Sequence, residues 1–168
     1  MTEGARYTRH EEYEGVLDAS PTEAFAFLDD PAHLSLHMAN RSWMMGGSRM
    51  EIVTDDARGQ RIGSRLHLGG TVLGMHLGVD AVIVDYNPPR RKRWETVGEP
   101  KILVIGAYRM DLELRMVGEG TSLRIAIDYE LPQNGFPRIL GHVAGRFYAR
   151  WCTRAMVRDA ALHFRRRR

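Results

Sequence analysis

From Tyr108 to Leu131 apolar and polar residues alternate with a period of two. Met110, Leu112, Leu114 and Met116 alternate with Asp111, Glu113 and Arg115; Leu123, Ile125, Ile127, Tyr129 and Leu131 alternate with Arg124, Ala126, Asp128 and Glu130. That period belongs to strands with one buried face. A turn over residues 117–120 pairs Met116 with Thr121. Stepping back from it sets Leu114 against Leu123, Leu112 against Ile125, Met110 against Ile127 and Tyr108 against Tyr129. Every apolar side chain of the hairpin then lies on one face, and a slip of one residue would destroy the match.

The same reading divides residues 48–131 into strands over 48–54, 61–69, 71–86, 91–97, 102–116 and 121–131. Between them stand Asp-Asp-Ala-Arg-Gly, Gly-Gly, Asn-Pro-Pro, Gly-Glu-Pro and Gly-Glu-Gly, which are turn formers. Short turns make neighbouring strands antiparallel. A further strand is expected over 12–19. Ser20-Pro21-Thr22-Glu23 then reads as a helix start, with Ser20 as N-cap and Glu23 closing a capping box. Asp29-Asp30-Pro31 stops that helix, and a second short helix is expected over 32–38.

Residues 136–164 form the one long helix of the pattern. Arg146, Arg150, Arg154 and Arg158 recur every fourth residue and so share a slowly drifting face. The opposite face carries Gly141, Gly145, Tyr148, Cys152, Ala155 and Met156. Small residues there allow a sheet to approach closely or leave room for a ligand. Asp159 projects toward this side, either as a buried base or as the partner of an arginine at the helix end. A long amphipathic helix after an antiparallel meander buries its apolar face when the sheet folds around it. The expected class is α+β: about seven curved antiparallel strands around a long C-terminal helix, with two short helices between strands one and two.

Composition narrows the picture. A chain of 168 residues, 43% hydrophobic and 27% charged, suits one globular domain. We divide it into a flexible N-terminus (1–9), a single domain (10–164) and a basic tail (165–168). No apolar run approaches the roughly 20 residues of a membrane span, and the polar N-terminus does not read as a signal peptide, so a cytoplasmic location is expected. The net charge of +3 is unevenly spread: residues 136–168 hold nine Arg against Asp159 alone. The basic runs 88–93 and 165–168 are read as a solvated turn and a frayed end; nucleic-acid binding is not expected of them. The lone Cys152 excludes an internal disulfide.

The stretch "VLDASPTEAFAFLDDPAHL", the strand-turn-strand "VIVDYNPPRRKRW" and the long last helix together resemble the START-like (SRPBCC, helix-grip) superfamily, in its polyketide cyclase/dehydrase and lipid-transport branch. The resemblance covers about residues 10–164. It implies a cavity between the concave sheet and the C-terminal helix, walled by Trp94, Tyr108, Met110, Leu112, Ile127, Tyr129, Tyr148 and Cys152. Trp43, Met44 and Met45 would form an adaptable lid, a role that suits unbranched methionine. The implied partner is a small hydrophobic molecule: a lipid, an isoprenoid or a polyketide-like compound.

Two other readings compete. The pocket tyrosines could act as acids in a cyclisation, as in an aromatase/cyclase working without metal or organic cofactor. Alternatively, Arg146, Arg150, Arg154 and Arg158 could dock the protein weakly on an anionic membrane or an acidic protein. His33 and His37 share a helical face, but no third metal ligand stands out, although Asp29 and Asp30 are near. No cofactor is expected. Motifs of serine hydrolases, zinc proteases and phosphate loops are absent.

Overall fold

The computed structural model describes residues 7–34, 50–72, 75–102, 104–132 and 135–165. In chain order the elements are β1 (Arg9–Leu17), α1 (Pro21–Asp29), α2 (Pro31–Leu34), β2 (Met50–Thr54), β3 (Arg65–Val72), β4 (Met75–Asn87), β5 (Arg91–Lys101), β6 (Tyr108–Val117), β7 (Gly120–Tyr129) and α3 (Gly135–Arg165). The strands make one seven-stranded sheet in the order β1-β7-β6-β5-β4-β3-β2. All six pairings are antiparallel. The long helix packs against β1 and β7, while α1 meets β6 and β7. This is the expected helix-grip architecture.

The β6–β7 hairpin adopts the register that alternation predicts, with Leu114 opposite Leu123, Leu112 opposite Ile125, Met110 opposite Ile127 and Tyr108 opposite Tyr129. Gly118 closes it at a φ of 59°, a conformation glycine adopts at little cost. The inward side chains are nearly waterless: Leu112, Leu123, Ile125 and Ile127 are at most 1% exposed. Burying each contributes about 1.5–3 kcal/mol. Met116, at the hairpin's end, departs from the pattern and is 71% exposed.

Several boundaries shift, for physical reasons. The first strand spans Arg9–Leu17, not 12–19, because all of it pairs with β7. Gly69-Gly70 is not a turn; it lies inside β3 and pairs with both β2 and β4. A Cβ at Gly69 would come 3.1 Å from Nε2 of His67, so the glycine makes room for that ring, whose Nδ1 meets Asp80 at 2.7 Å. Gly98-Glu99-Pro100 is also no turn. Gly98, at a φ of 70°, sits in a stretch where the β4–β5 register jumps, and β5 resumes pairing at Lys101. Residues 102 and 104–107, assigned to a strand by pattern, lie outside the strands, in the connection to β6.

At the helix starts the local chemistry matches. Ser20 Oγ accepts from the Glu23 amide at 3.3 Å and Glu23 accepts from the Ser20 amide at 3.0 Å, completing the capping box of α1. The second helix spans Pro31–Leu34, and the remainder of the expected 32–38 helix lies outside the described residues. The small residues of α3 serve close packing. A Cβ at Gly145 would stand 2.8 Å from the Val104 carbonyl, and one at Gly141 would stand 2.7 Å from Cδ of Pro132. On β1, a Cβ at Gly15 would meet Val157 at 2.6 Å.

The convex face is a lattice of charge pairs. Arg109 and His10 share Asp128, Arg124 meets Glu12, and Arg91 and Arg93 converge on Asp111 at 2.7 and 2.6 Å. The basic run 88–93 is therefore not simply a solvated turn, because these two arginines are neutralised by the neighbouring strand.

Candidate ligand site between sheet and helix

Strand parity places the sheet residues of the site. Trp94 stands opposite Met110, and Met110 opposite Ile127, so the three form one row across β5, β6 and β7. Tyr108 and Tyr129 form the adjoining row, and Leu112 lies deeper, opposite Lys92 and Ile125. All six expected sheet positions are buried. From α3, Cys152 is buried and Tyr148 is half-buried. Trp43, Met44 and Met45, the expected lid, lie outside the described residues.

Electrostatics splits this group. Burial pushes the Tyr108 phenol well above its ordinary value, and the neighbouring Cys152 thiol adds to the effect. Tyr148 is driven up in the same way, by burial first and then by Cys152 and Tyr108. Burial lifts the Cys152 thiol to about 12. Cys152 thus lies near both phenols, and all three groups stay neutral at physiological pH. Tyr129 has different neighbours. Its phenol is raised by burial and then by Glu11, against Arg9 and Arg146, and its ring packs 3.9 Å from where a Gly145 Cβ would lie. It stands opposite Tyr108 on β6 and, on its other side, pairs with Arg9 of β1.

The phenol oxygens of Tyr108 and Tyr148 make no hydrogen bond to a described residue. The Tyr108 backbone amide is held by Thr96 Oγ1 at 3.1 Å, which fixes its strand position. Neutral hydroxyls on an apolar wall can donate to a carbonyl or accept from a hydroxyl. They are poor general bases, since effective proton transfer needs a pKa near the working pH. Cys152, held as a thiol, is no ready nucleophile.

Asp29, Asp30 and His33 have structural partners. Asp29 accepts from Lys92 Nζ at 2.7 Å and from the Tyr86 hydroxyl at 2.7 Å, while Lys92 also donates to the Asp29 carbonyl at 2.9 Å. Asp30 caps the Ala32 amide at 2.9 Å. The His33 ring stacks on Phe27 and directs Nδ1 at the Phe27 carbonyl, 3.1 Å away. His37 lies outside the described residues, among which no group of three His, Cys, Asp or Glu is placed to hold a metal. Asp159 is half-buried; desolvation raises its carboxyl against the pull of Arg158, and it forms no salt bridge to a described arginine. Sequence reasoning missed the Asp29–Lys92–Tyr86 cluster. Its signal was parity: Lys92 shares a strand face with Trp94.

Comparison with known proteins assigns the chain. A family model for polyketide cyclase / dehydrase and lipid transport matches residues 10–167. The chain belongs to that family. No curated protein matches it in sequence. Among solved structures, TTHA0849 from Thermus thermophilus superposes with a TM-score of 0.65 at 14% identity, covering 91% of this chain and 94% of that one. A Rhodobacter sphaeroides protein gives 0.60 at 22% identity, covering 92% and 90%. Major latex-like protein 151 from Panax ginseng gives 0.56 at 14% identity, covering 94% and 98%. At these identities the likeness establishes a shared START-like fold. Membership of a cyclase/dehydrase and lipid-transport family supports hydrophobic-ligand binding in general terms.

Proposed function

We propose that the protein binds and carries a small, uncharged hydrophobic molecule, such as a lipid, isoprenoid or polyketide-like compound, between the concave sheet and α3. The observation that carries this reading is the group Tyr108, Tyr148 and Cys152, neighbouring and neutral, with Tyr108 and Cys152 buried and Tyr148 half-buried, on a wall otherwise made of Trp94, Met110, Leu112 and Ile127. Such a wall rejects a carboxylate or ammonium, whose burial is costly, and accepts a carbonyl or hydroxyl on an apolar body. Cyclase chemistry fits these residues less well, because phenols raised this far neither give up nor take a proton readily near neutrality. No described helix is long and apolar enough to cross a membrane. A cytoplasmic carrier remains part of the proposal.

Titration with an environment-sensitive apolar fluorophore tests it. Wild type should bind with saturation. Tyr108→Phe plus Tyr148→Phe, which preserves shape, should weaken binding of a carbonyl-bearing probe about five- to thirtyfold, the range of one or two neutral hydrogen bonds. Cys152→Trp, if its circular dichroism is native, should block uptake. A wild type that takes up no probe, or a double phenylalanine variant that binds it equally well, would overturn the reading.

A further inference from the structure

The outer face of α3 bears large apolar side chains in water. Ile139, Val143 and Phe147, four residues apart, are 66%, 79% and 61% exposed, and Leu162 further along is 40% exposed. Four-residue spacing keeps the first three in one stripe, and the span from Ile139 to Leu162 is about 35 Å at 1.5 Å per residue. Beside the stripe run Arg146, Arg150, Arg154 and Arg158, all exposed. Two are already engaged: Arg146 meets Glu11 of β1 at 2.7 Å, and Arg150 meets the same carboxylate at 3.5 Å. Arg154 lies over the Tyr13 ring at 5.6 Å, and neither it nor Arg158 forms a salt bridge to a described residue. The nearby acid, Asp159, is half-buried in the groove between Trp151 and Leu162.

Exposed apolar side chains flanked by unneutralised guanidinium groups match one surroundings well. At a bilayer surface the apolar side chains enter the headgroup–acyl boundary, and the arginines meet lipid phosphates above it. A neutral surface would leave Arg154 and Arg158 without counter-charges, whereas an anionic leaflet supplies them. We infer that the outer face of α3 is a docking surface for anionic bilayers, with Val143 and Phe147 as apolar anchors and Arg154 and Arg158 as the charge contacts. The surface lies on the opposite side of the helix from Gly141, Gly145 and Cys152, so the inference stands apart from the ligand reading and can fail without it.

The test is co-sedimentation of the full chain with vesicles of phosphatidylcholine, with and without a minority of phosphatidylglycerol. Binding should require the anionic lipid and weaken as salt rises above about 0.1 M. Arg154→Gln plus Arg158→Gln should reduce it about tenfold or more. Val143→Ser plus Phe147→Ser should reduce it comparably, and both variants should melt like wild type because these side chains are exposed. Absence of binding to the anionic vesicles would overturn the inference. So would binding that neither pair diminishes. A vesicle-free dimer abolished by Val143→Ser plus Phe147→Ser would also overturn it and assign the face to a second copy of the chain.

Discussion

Lys92 is 1% exposed, and its ammonium is held by the carboxylate and carbonyl of Asp29, which in turn receives the Tyr86 hydroxyl. Desolvation pulls the amine's pKa down, opposed by Asp29. The cluster ties the end of α1 to the sheet, and a Cβ at Gly59 would lie 3.6 Å from Lys92 Nζ. Removing one member of a buried pair leaves the other charge stranded. Lys92→Ala should therefore lose about 3–5 kcal/mol in urea denaturation, whereas Asp29→Leu with Lys92→Met should recover most of that loss. A Lys92→Ala protein as stable as wild type would remove the cluster's structural role. Composition alone hid this residue, because Pro-Pro-Arg-Arg-Lys-Arg reads as one basic run. Strand parity separates its members: Arg91 and Arg93 face Asp111 on the convex side, and Lys92 shares the interior with Trp94.

Among the elements, α3 shows where propensity yields to packing. Gly145 is buried mid-helix, and a glycine there ordinarily costs about 1 kcal/mol relative to alanine. Here an added Cβ would press on the Val104 carbonyl at 2.8 Å and on Leu131 at 3.2 Å. Gly145→Ala should destabilise the protein by about 1–3 kcal/mol despite its better helix propensity. Thermal denaturation checks the sign, and a raised midpoint would mean the helix does not sit this close. The sequence left open whether small residues on this face meant contact or space; at Gly141 and Gly145 they mean contact. The β6–β7 register was legible because alternation over ten-residue strands admits a single pairing. Glycine positions were not, since Gly69-Gly70 and Gly98 have the local chemistry of turns. Only cross-strand pairing, a non-local fact, turns the first into strand interior and the second into a register irregularity.

Across the whole molecule, the order of elements was enough to anticipate the sheet, because a meander closed by its first strand leaves the last helix one broad face to cover. The joining of β1 to β7 and the packing of α3 over both complete that arrangement. In the sheet half of the candidate site, parity was enough to tell that Trp94, Tyr108, Met110, Leu112 and Ile127 are buried on one face. The charges around Tyr129, which shares their face but has Glu11, Arg9 and Arg146 near its phenol, were not legible. Side-chain parity says which way a residue points but not what charge waits there. The exposed stripe of Ile139, Val143 and Phe147 also escaped pattern reading, since the arginines interleaved with it dominate that side of the helix.

We propose above that this family member holds an uncharged apolar molecule between sheet and helix. Native mass spectrometry of protein purified from its own host, followed by denaturation and identification of what is released, tests it most directly. One neutral hydrophobic compound bearing a carbonyl or hydroxyl is expected, bound in stoichiometric amount and depleted in Tyr108→Phe plus Tyr148→Phe. Release of a charged, polar metabolite instead, or an apolar compound retained equally by that variant, would contradict it.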